Sequence, residues 1–448
     1  MPRRQAVQGP SQTFTFWGMV GVVMAALKLK EHMDDYRRVP SEEEGLGPLA
    51  LHSPVLDANN IGASGDGFLD TEIPGARPKR SKRNCCVCCG MRCGLFWKAF
   101  GIVCLLFLGW QAIKLAIWAV TPKPTGLEGM PEFSTSLGCS NAPYIYNATD
   151  TTFLVPVGLN NADHEIEILG KAVGTLTFVQ GDSDATDVKY DITLRADQDG
   201  LFDSILLQHS TAYEIEHGIS NSHTRLATTY ESSACMRYDI KVSVPPTLKN
   251  LAVSTRTVTH IKFDTDSMFD FDKLSVSMRA MMETGHLLLP HTGVHAGMLL
   301  FDISRGWLVG DVAIVDKTTL STSKGDAVMN VHVHPVPSTA DLPATAELQT
   351  TTGTGRTDVF FVSSAGHVHR PISSTHSSLR GGEMYLTYKE AEFKGEVDLS
   401  AKSYSASGLQ GSMMRHGGMG GELPWVGDKN GGDKIVAQSP NGWIGLYF

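Results

Sequence analysis

The segment Leu251–Arg279 reads LAVSTRTVTHIKFDTDSMFDFDKLSVSMR, and its two ends echo each other: LAVSTR (Leu251–Arg256) returns as LSVSMR (Leu274–Arg279). Both runs alternate apolar with small polar residues, the pattern of a strand with one buried face. HIKF lies between them as a further strand, and Asp264, Asp266, Asp270 and Asp272 punctuate the connection. A second echo follows: Leu320-Ser-Thr-Ser-Lys-Gly-Asp-Ala-Val resembles Leu348-Gln-Thr-Thr-Thr-Gly-Thr-Gly, each leading into a valine-rich strand. Strand-and-turn units recurring at such spacing predict stacked coils, a β-solenoid in which each coil buries apolar residues against the next. The two spacings differ, and that drift keeps a β-sandwich as the alternative.

Outward from this segment the reading stays β. FLVPV, HEIEIL, GTLTFV, VKYDITL and MRYDIKVSV precede it, and MLLFDI, WLVGDVAIV, AVMNVHVH, DVFFV, EMYLTY and GEVDLSA follow, separated by Gly, Asp, Asn and Pro. Only Glu128–Ser136 and Ala280–Leu289 have the composition of a helical turn. Eleven glycines between Gly408 and Gly445 predict a flexible excursion. The closing GWIGLYF (Gly442–Phe448) is too apolar for a free tail and is expected to return as a strand packed on the domain.

Leu95–Val120, LFWKAFGIVCLLFLGWQAIKLAIWAV, is a different kind of segment, long and mostly apolar. As a helix it would run ~39 Å, enough to cross a hydrocarbon core of ~30 Å. Lys98 and Lys114 lie near its ends and can snorkel, and Trp97 and Trp118 suit the two interfaces. Six basic residues stand between Arg77 and Arg92, whereas Lys123 stands alone in the corresponding stretch after the helix. That asymmetry predicts a single-pass type II protein in a plasma or secretory-pathway membrane, N-terminus cytosolic, C-terminus extracellular or lumenal. The implied organisation is a cytosolic, mostly disordered tail (1–94), the transmembrane helix (95–121), a stalk (122–150), a β-rich domain (151–408) and a Gly-rich segment with a terminal strand (409–448).

The N-terminal Thr13–Leu27 admits three readings: a signal or anchor, an interfacial amphipathic segment, or an extension upstream of a start at Met33. Residues 34–76 are polar, without periodicity, and read as disordered. Cys85, Cys86, Cys88, Cys89 and Cys93 crowd the basic membrane border and suit reversible acylation; zinc, through the C-x-x-C spacings, and plain reduced thiols are the alternatives. Beyond the helix, Asn147-Ala148-Thr149 is the one glycosylation sequon, and Cys139 with Cys235 are two thiols in an oxidising compartment, expected to form a disulfide, with two separate buried thiols as the alternative.

Charge limits the partners. Residues 1–121 carry 14 Lys+Arg and 10 Asp+Glu, a net +4, and residues 122–448 carry 24 and 37, a net −13. So acidic a region argues against nucleic acid and leaves membrane lipid, cell-wall glycan or a surface protein. His332-Val-His334 and His367-Val-His369 would each turn two imidazoles to one strand face, a metal arrangement if the pairs converge; surface residues on two polar faces are the plainer reading. His286, His291 and His295, and the four aspartates Asp264 to Asp272, are similarly unspecific. No nucleophile elbow, Walker loop, dinucleotide fingerprint or His-Glu-x-x-His is present, so no cofactor is expected.

The layout of basic Cys-rich tail, single span, strand-rich region and closing Ser-Pro-Asn-Gly-Trp-Ile-Gly-Leu-Tyr-Phe resembles fungal single-pass membrane proteins with an adhesin-like domain of unknown function. In style the region from Thr151 to Phe448 is also similar to bacterial adhesin-like β-solenoids. The resemblance implies a non-catalytic, adhesive surface role and brings no catalytic residues. A membrane-tethered enzyme acting on glycans through paired carboxylates, or a metal-binding surface protein, are the alternatives.

Overall fold

The computed structural model describes residues 16–36, 87–88, 91–120, 125–146, 151–159, 161–229, 234–279, 285–337, 343–363, 369–411 and 423–448. The chain divides into two units, Met1–Lys123 and Pro124–Phe448.

In the first unit, α1 (Phe16–Tyr36) and α2 (Cys93–Val120) meet through Val20, Ala99 and Val103, with Met24, Leu27 and Phe96 around them. Ala99 leaves room for the approach. β1 (Val87–Cys88) and β2 (Met91–Arg92) make a short antiparallel pair. Among the described residues one helix is long and apolar enough to cross a membrane, Phe96–Ile117, with a mean hydropathy of 2.0. Only 6% of its most apolar window is buried, and Leu105, Leu106, Leu108 and Leu115 all stand exposed. A core helix of a soluble domain would hide that surface. The polar stretch expected at 34–76 begins as the last turn of α1; positions 37–76 lie outside the described residues.

The second unit starts with β3 (Tyr144–Ile145), β4 (Thr152–Pro156), β5 (Asp163–Gly170), β6 (Val173–Gln180) and β7 (Asp187–Ala196). Then come β8 (Ile205–His209), the short helix α3 (Ala212–Glu216), β9 (His223–Thr228) and β10 (Met236–Val244). The next twelve strands form two interleaved series. One holds β11 (Asn250–Thr255), β13 (Phe269–Met278), β15 (Val294–Ile303), β17 (Lys317–Ser321), β19 (Ala346–Thr352) and β21 (Ile372–Ser378). The other holds β12 (Thr259–Phe263), β14 (Leu287–Leu289), β16 (Trp307–Ile314), β18 (Val328–Pro335), β20 (Thr357–Val362) and β22 (Met384–Glu390). β23 (Gly395–Ser407), β24 (Trp425–Val426) and β25 (Asp433–Tyr447) complete the chain.

Within each series every strand pairs in parallel with the strand two ahead of it, giving ladder A (odd numbers) and ladder B (even numbers). β5 and then β9 extend ladder A at one end, and β6 and then β10 extend ladder B. Antiparallel strands finish this end, with β8 on β9 and β7 on β10. They occupy backbone groups that a bare edge would leave open to another chain. At the far end chain order breaks. The first half of β25 pairs with β21 and its second half with β22, so the terminal strand sits inside the array with β23 on its other side.

The alternation read from the sequence is the alternation of burial. In β11, Leu251, Val253 and Thr255 point inward while Ala252 is exposed. Register carries the inward row onward: Leu251 stands beside Leu274, and that beside Leu299, while Val253 leads through Val276 to Phe301. Each such side chain, fully buried, contributes roughly 1.5–3 kcal/mol. Polar residues enter these rows too, among them Thr318, Thr350 and His376.

The sequence-level expectation of a mainly β chain with few helices is what the structure has. α3 was missed, although Thr211 and Glu214 form the reciprocal capping box that marks a helix start. Within Glu128–Ser136 the chain makes only the 3-10 turn that runs Thr135–Leu137. Of Ala280–Leu289, the last three residues are strand β14, and 280–284 lie outside the described residues. Gly442–Phe448 belongs largely to β25, with Ile444 and Leu446 fully buried. Positions 412–422 of the Gly-rich segment lie outside the described residues.

Candidate functional site: the outer face of ladder B

The segment expected as a stalk is described over 125–146; its 126–138 part lies against the outer face of ladder B as a strap, and its end pairs with β7 as β3. Gly126 sits against Val328 and the Arg356 side chain, at the β18 and β20 rungs. Further along, Phe133 packs on His260 at 5.8 Å under the Lys262 ammonium, and Ser134 N–H donates to His260 Nδ1 at 3.1 Å. Buried Arg237 on β10 ties the end down: its guanidinium donates to Ser134 O (2.8 Å) and Gly138 O (3.2 Å) and forks onto Asp239. Ser134, at φ 73, holds an unfavourable left-handed conformation that these bonds fix. Cys139 and Cys235 are joined by a disulfide across 96 positions, Cα–Cα 5.8 Å.

Past the strap, ladder B presents an aromatic face. Register brings Asp358, Tyr385 and Gly445 into one outward row, and His332, Phe360, Thr387 and Tyr447 into the next. The Arg356 guanidinium lies 3.8 Å over the Tyr385 ring and forks onto the buried Asp358 carboxylate at 2.6 and 2.7 Å. That ion pair keeps the guanidinium charged and its pKa raised. Trp443 packs on the same tyrosine at 4.7 Å, and the Tyr385 hydroxyl donates to Glu383. Both the Trp443 ring and the Tyr447 hydroxyl close over Gly445, and a Cβ there would push them aside. His332 stacks on Phe360 at 5.0 Å.

The two H-x-H pairs take separate partners. His334 Nε2 is 3.1 Å from Asp311 Oδ1, with His332 Nδ1 at 3.8 Å from the same oxygen. His369 contacts Asp433, whose buried carboxylate also accepts from the Ile372 and Lys394 amides and so ties β21 and β23 to β25. His367 lies outside the described residues. Among the described residues no group of three His, Cys, Asp or Glu side chains is arranged to hold a metal ion. Asp264 accepts from the Ser267 hydroxyl within a turn, and Asp270 on β13 pairs with Lys249, the residue before β11. His286 is buried beside Thr259, while His291 takes a local bond from Gly293 N–H. His295 stands at a cleft of about 330 Å³ lined also by Met268, Asp270 and Pro245. Asn147, Cys85, Cys86 and Cys89 lie outside the described residues; Cys88 ends β1 and Cys93 opens α2.

The most perturbed titratable groups are in the core. His164 Nδ1 is 2.7 Å from Ser222 Oγ, which itself donates to Pro156 O, so the imidazole Nδ1–H is the donor and Nε2 accepts from the Tyr190 hydroxyl at 2.5 Å. His376 bridges Thr350 Oγ1 (2.7 Å) and the Tyr388 hydroxyl (2.8 Å). Burial holds both imidazoles neutral, at about 3, and holds His286 at about 4. The His164 and His376 networks are satisfied and fix the core, whereas the buried His286 Nε2 has no hydrogen-bond partner among the described residues.

No family model matches the chain, and no curated protein matches it. Among solved structures it is similar to a crystal structure titled "a putative cell adhesion protein" from Clostridium sporogenes, at a TM-score of 0.20 and 9% identity over 66% of this chain and 97% of that one. Likeness at that level transfers neither fold nor role.

Proposed function

We propose that the chain is a membrane-anchored, type II surface protein whose β unit is a non-catalytic, adhesin-like β-solenoid that binds cell-wall or surface ligands. The observation that carries this reading is the pair of parallel ladders, each joining a strand to the one two ahead. Two strands per coil, stacked coil on coil, give that pairing, whereas the antiparallel meanders and Greek keys of a β-sandwich do not. Such an array repeats similar outward rows at each rung and suits many weak contacts acting together. The apolar, exposed α2 supports a bilayer span, and the basic flank from Arg77 to Arg92 favours the cytosolic side for the N-terminus. The Cys139–Cys235 disulfide suits the oxidising compartment that this orientation gives the β unit. A glycan at Asn147 and acyl chains on the juxtamembrane cysteines belong to the same reading, as does the likeness in layout to adhesin-like membrane proteins. The test is retention of the full chain, reconstituted in nanodiscs, on immobilised cell-wall polysaccharide and on intact cells. Retention above empty nanodiscs is expected, and none on any surface offered would sink the reading.

A further inference from the structure

We infer that the outer face of ladder B beyond the strap is a saccharide-binding platform, on which a glycan chain stacks against Trp443, Tyr447 and Phe360. This rests on the surface-ligand reading and names the ligand class and its site. The platform is ordered before any ligand arrives: Tyr385 is clamped between the Arg356 guanidinium and Trp443, and His332 backs Phe360. Rings fixed in this way lose little conformational freedom on binding. Phe360, Thr387 and Tyr447 occupy successive rungs in one row, so the two rings stand about 9–10 Å apart at roughly 4.7–4.9 Å per rung. Around them the next strand offers only small hydroxyl side chains, Ser403, Ser405 and Ser407, beside Trp443, Gly445 and Tyr447. The rings are therefore flanked by low neighbours that can donate and accept hydrogen bonds. Apolar C–H faces edged by hydroxyls are the surface that pyranose rings present, and this face complements both parts.

The charges argue against the other ligands of aromatic surfaces. Arg356 is already neutralised by Asp358, and Glu383 adds a carboxylate beside Tyr385. An anionic lipid surface or a nucleic acid would find the Arg356 charge already paired, which leaves Lys389 and Lys402 as the exposed ammonium groups on β22 and β23 nearest the rings. Among the described residues the strap reaches this face at Gly126, against Arg356.

The test uses full-length chain in nanodiscs on an array of soluble and immobilised glucans, mannans and chitin oligosaccharides. Trp443→Ala and Phe360→Ala should each weaken saccharide binding about threefold to tenfold, the scale of one lost aromatic contact. Trp443→Phe should restore much of it. Tyr404→Ala should leave it unchanged, since that exposed ring stands in register with inward-facing Ile444. Melting temperature and near-UV circular dichroism separate loss of the platform from loss of fold. Saccharide binding indifferent to Trp443→Ala and Phe360→Ala in folded protein overturns the platform and leaves the surface-ligand reading standing. Binding of empty lipid vesicles or of a protein, lost in the same variants with no saccharide retained, also overturns it. No retention on any surface removes both.

Discussion

Acidification from pH 7.5 to 5.0 is expected to remove about 6 kcal/mol from the stability of the β unit, through three histidines in its core that titrate differently folded and unfolded. His164 and His376 are held neutral at about 3 and His286 at about 4, in each case by burial, from an ordinary 6.5. Below pH 6.5 the unfolded chain binds a proton at each site that the folded chain refuses. Their contribution is thus whole above 6.5 and is lost as pH falls toward the folded values. At pH 5.0 the gap is about 1.5 pH units, or about 2 kcal/mol per histidine. Carboxylates in the unfolded chain are still ionised at pH 5, so the imidazoles dominate this window; the folded Asp358, raised by burial, acts in the opposite direction as pH falls. The total is a large part of the roughly 5–15 kcal/mol that ordinarily holds a domain together. Urea unfolding of the full chain in nanodiscs, followed by tryptophan fluorescence at half-unit pH steps, reads it directly. Stability should be level above pH 7 and fall by at least about 4 kcal/mol per pH unit below pH 6, the slope for these three protons, to which His260, also lowered by burial, adds in the same direction. His376→Leu, destabilised at neutral pH because Thr350 and Tyr388 lose their partner, should show a slope shallower by one proton. A curve flat down to pH 5.0 would refute the buried-neutral assignment.

Leu446→Ala, in the strand lodged between β22 and β23, should cost about 2–5 kcal/mol in the same assay, because the terminal strand carries core. Reducing the Cys139–Cys235 bridge should lower stability by up to about 4–5 kcal/mol in the chain-entropy account. Limited proteolysis should then cut within 125–142, and unchanged protection would mean that the Arg237 and His260 contacts hold the strap without the bridge. Arg356→Met leaves the buried Asp358 carboxylate without its fork and should cost about 3–5 kcal/mol, measured as a fall in melting midpoint.

Strands were legible in this chain because alternation is a local property: LAVST and KLSVSM show their buried faces in the residues themselves. The first echo was legible as well, since Leu251 and Leu274 stand side by side on neighbouring rungs. The second was out of step: Leu320 pairs with Thr350, where the echo aligned it with Leu348. A slip from one inward position to the next preserves which face is buried, so side-chain pattern alone does not separate the two registers. β25 entering the array ahead of β23 was hidden for a related reason. Gly442–Phe448 announces a buried strand, but nothing local names its neighbours. The aromatic face follows from that insertion, because Trp443 and Tyr385 are distant in the chain and meet only when β25 pairs with β22. The strap escaped notice because its anchors, Arg237 and His260, lie far along the chain and no sequence pattern links them to Ser134. The disulfide was different: two thiols beyond the helix leave one pairing.

Everything about partners depends on which side of a bilayer the β unit occupies. A non-permeant protease applied to intact cells, with antibodies to residues 37–90 and to the β unit, decides this in one experiment. The account predicts that the β unit is shaved off or recognised from outside while 37–90 stay shielded until detergent is added. Access to 37–90 with a protected β unit would contradict it.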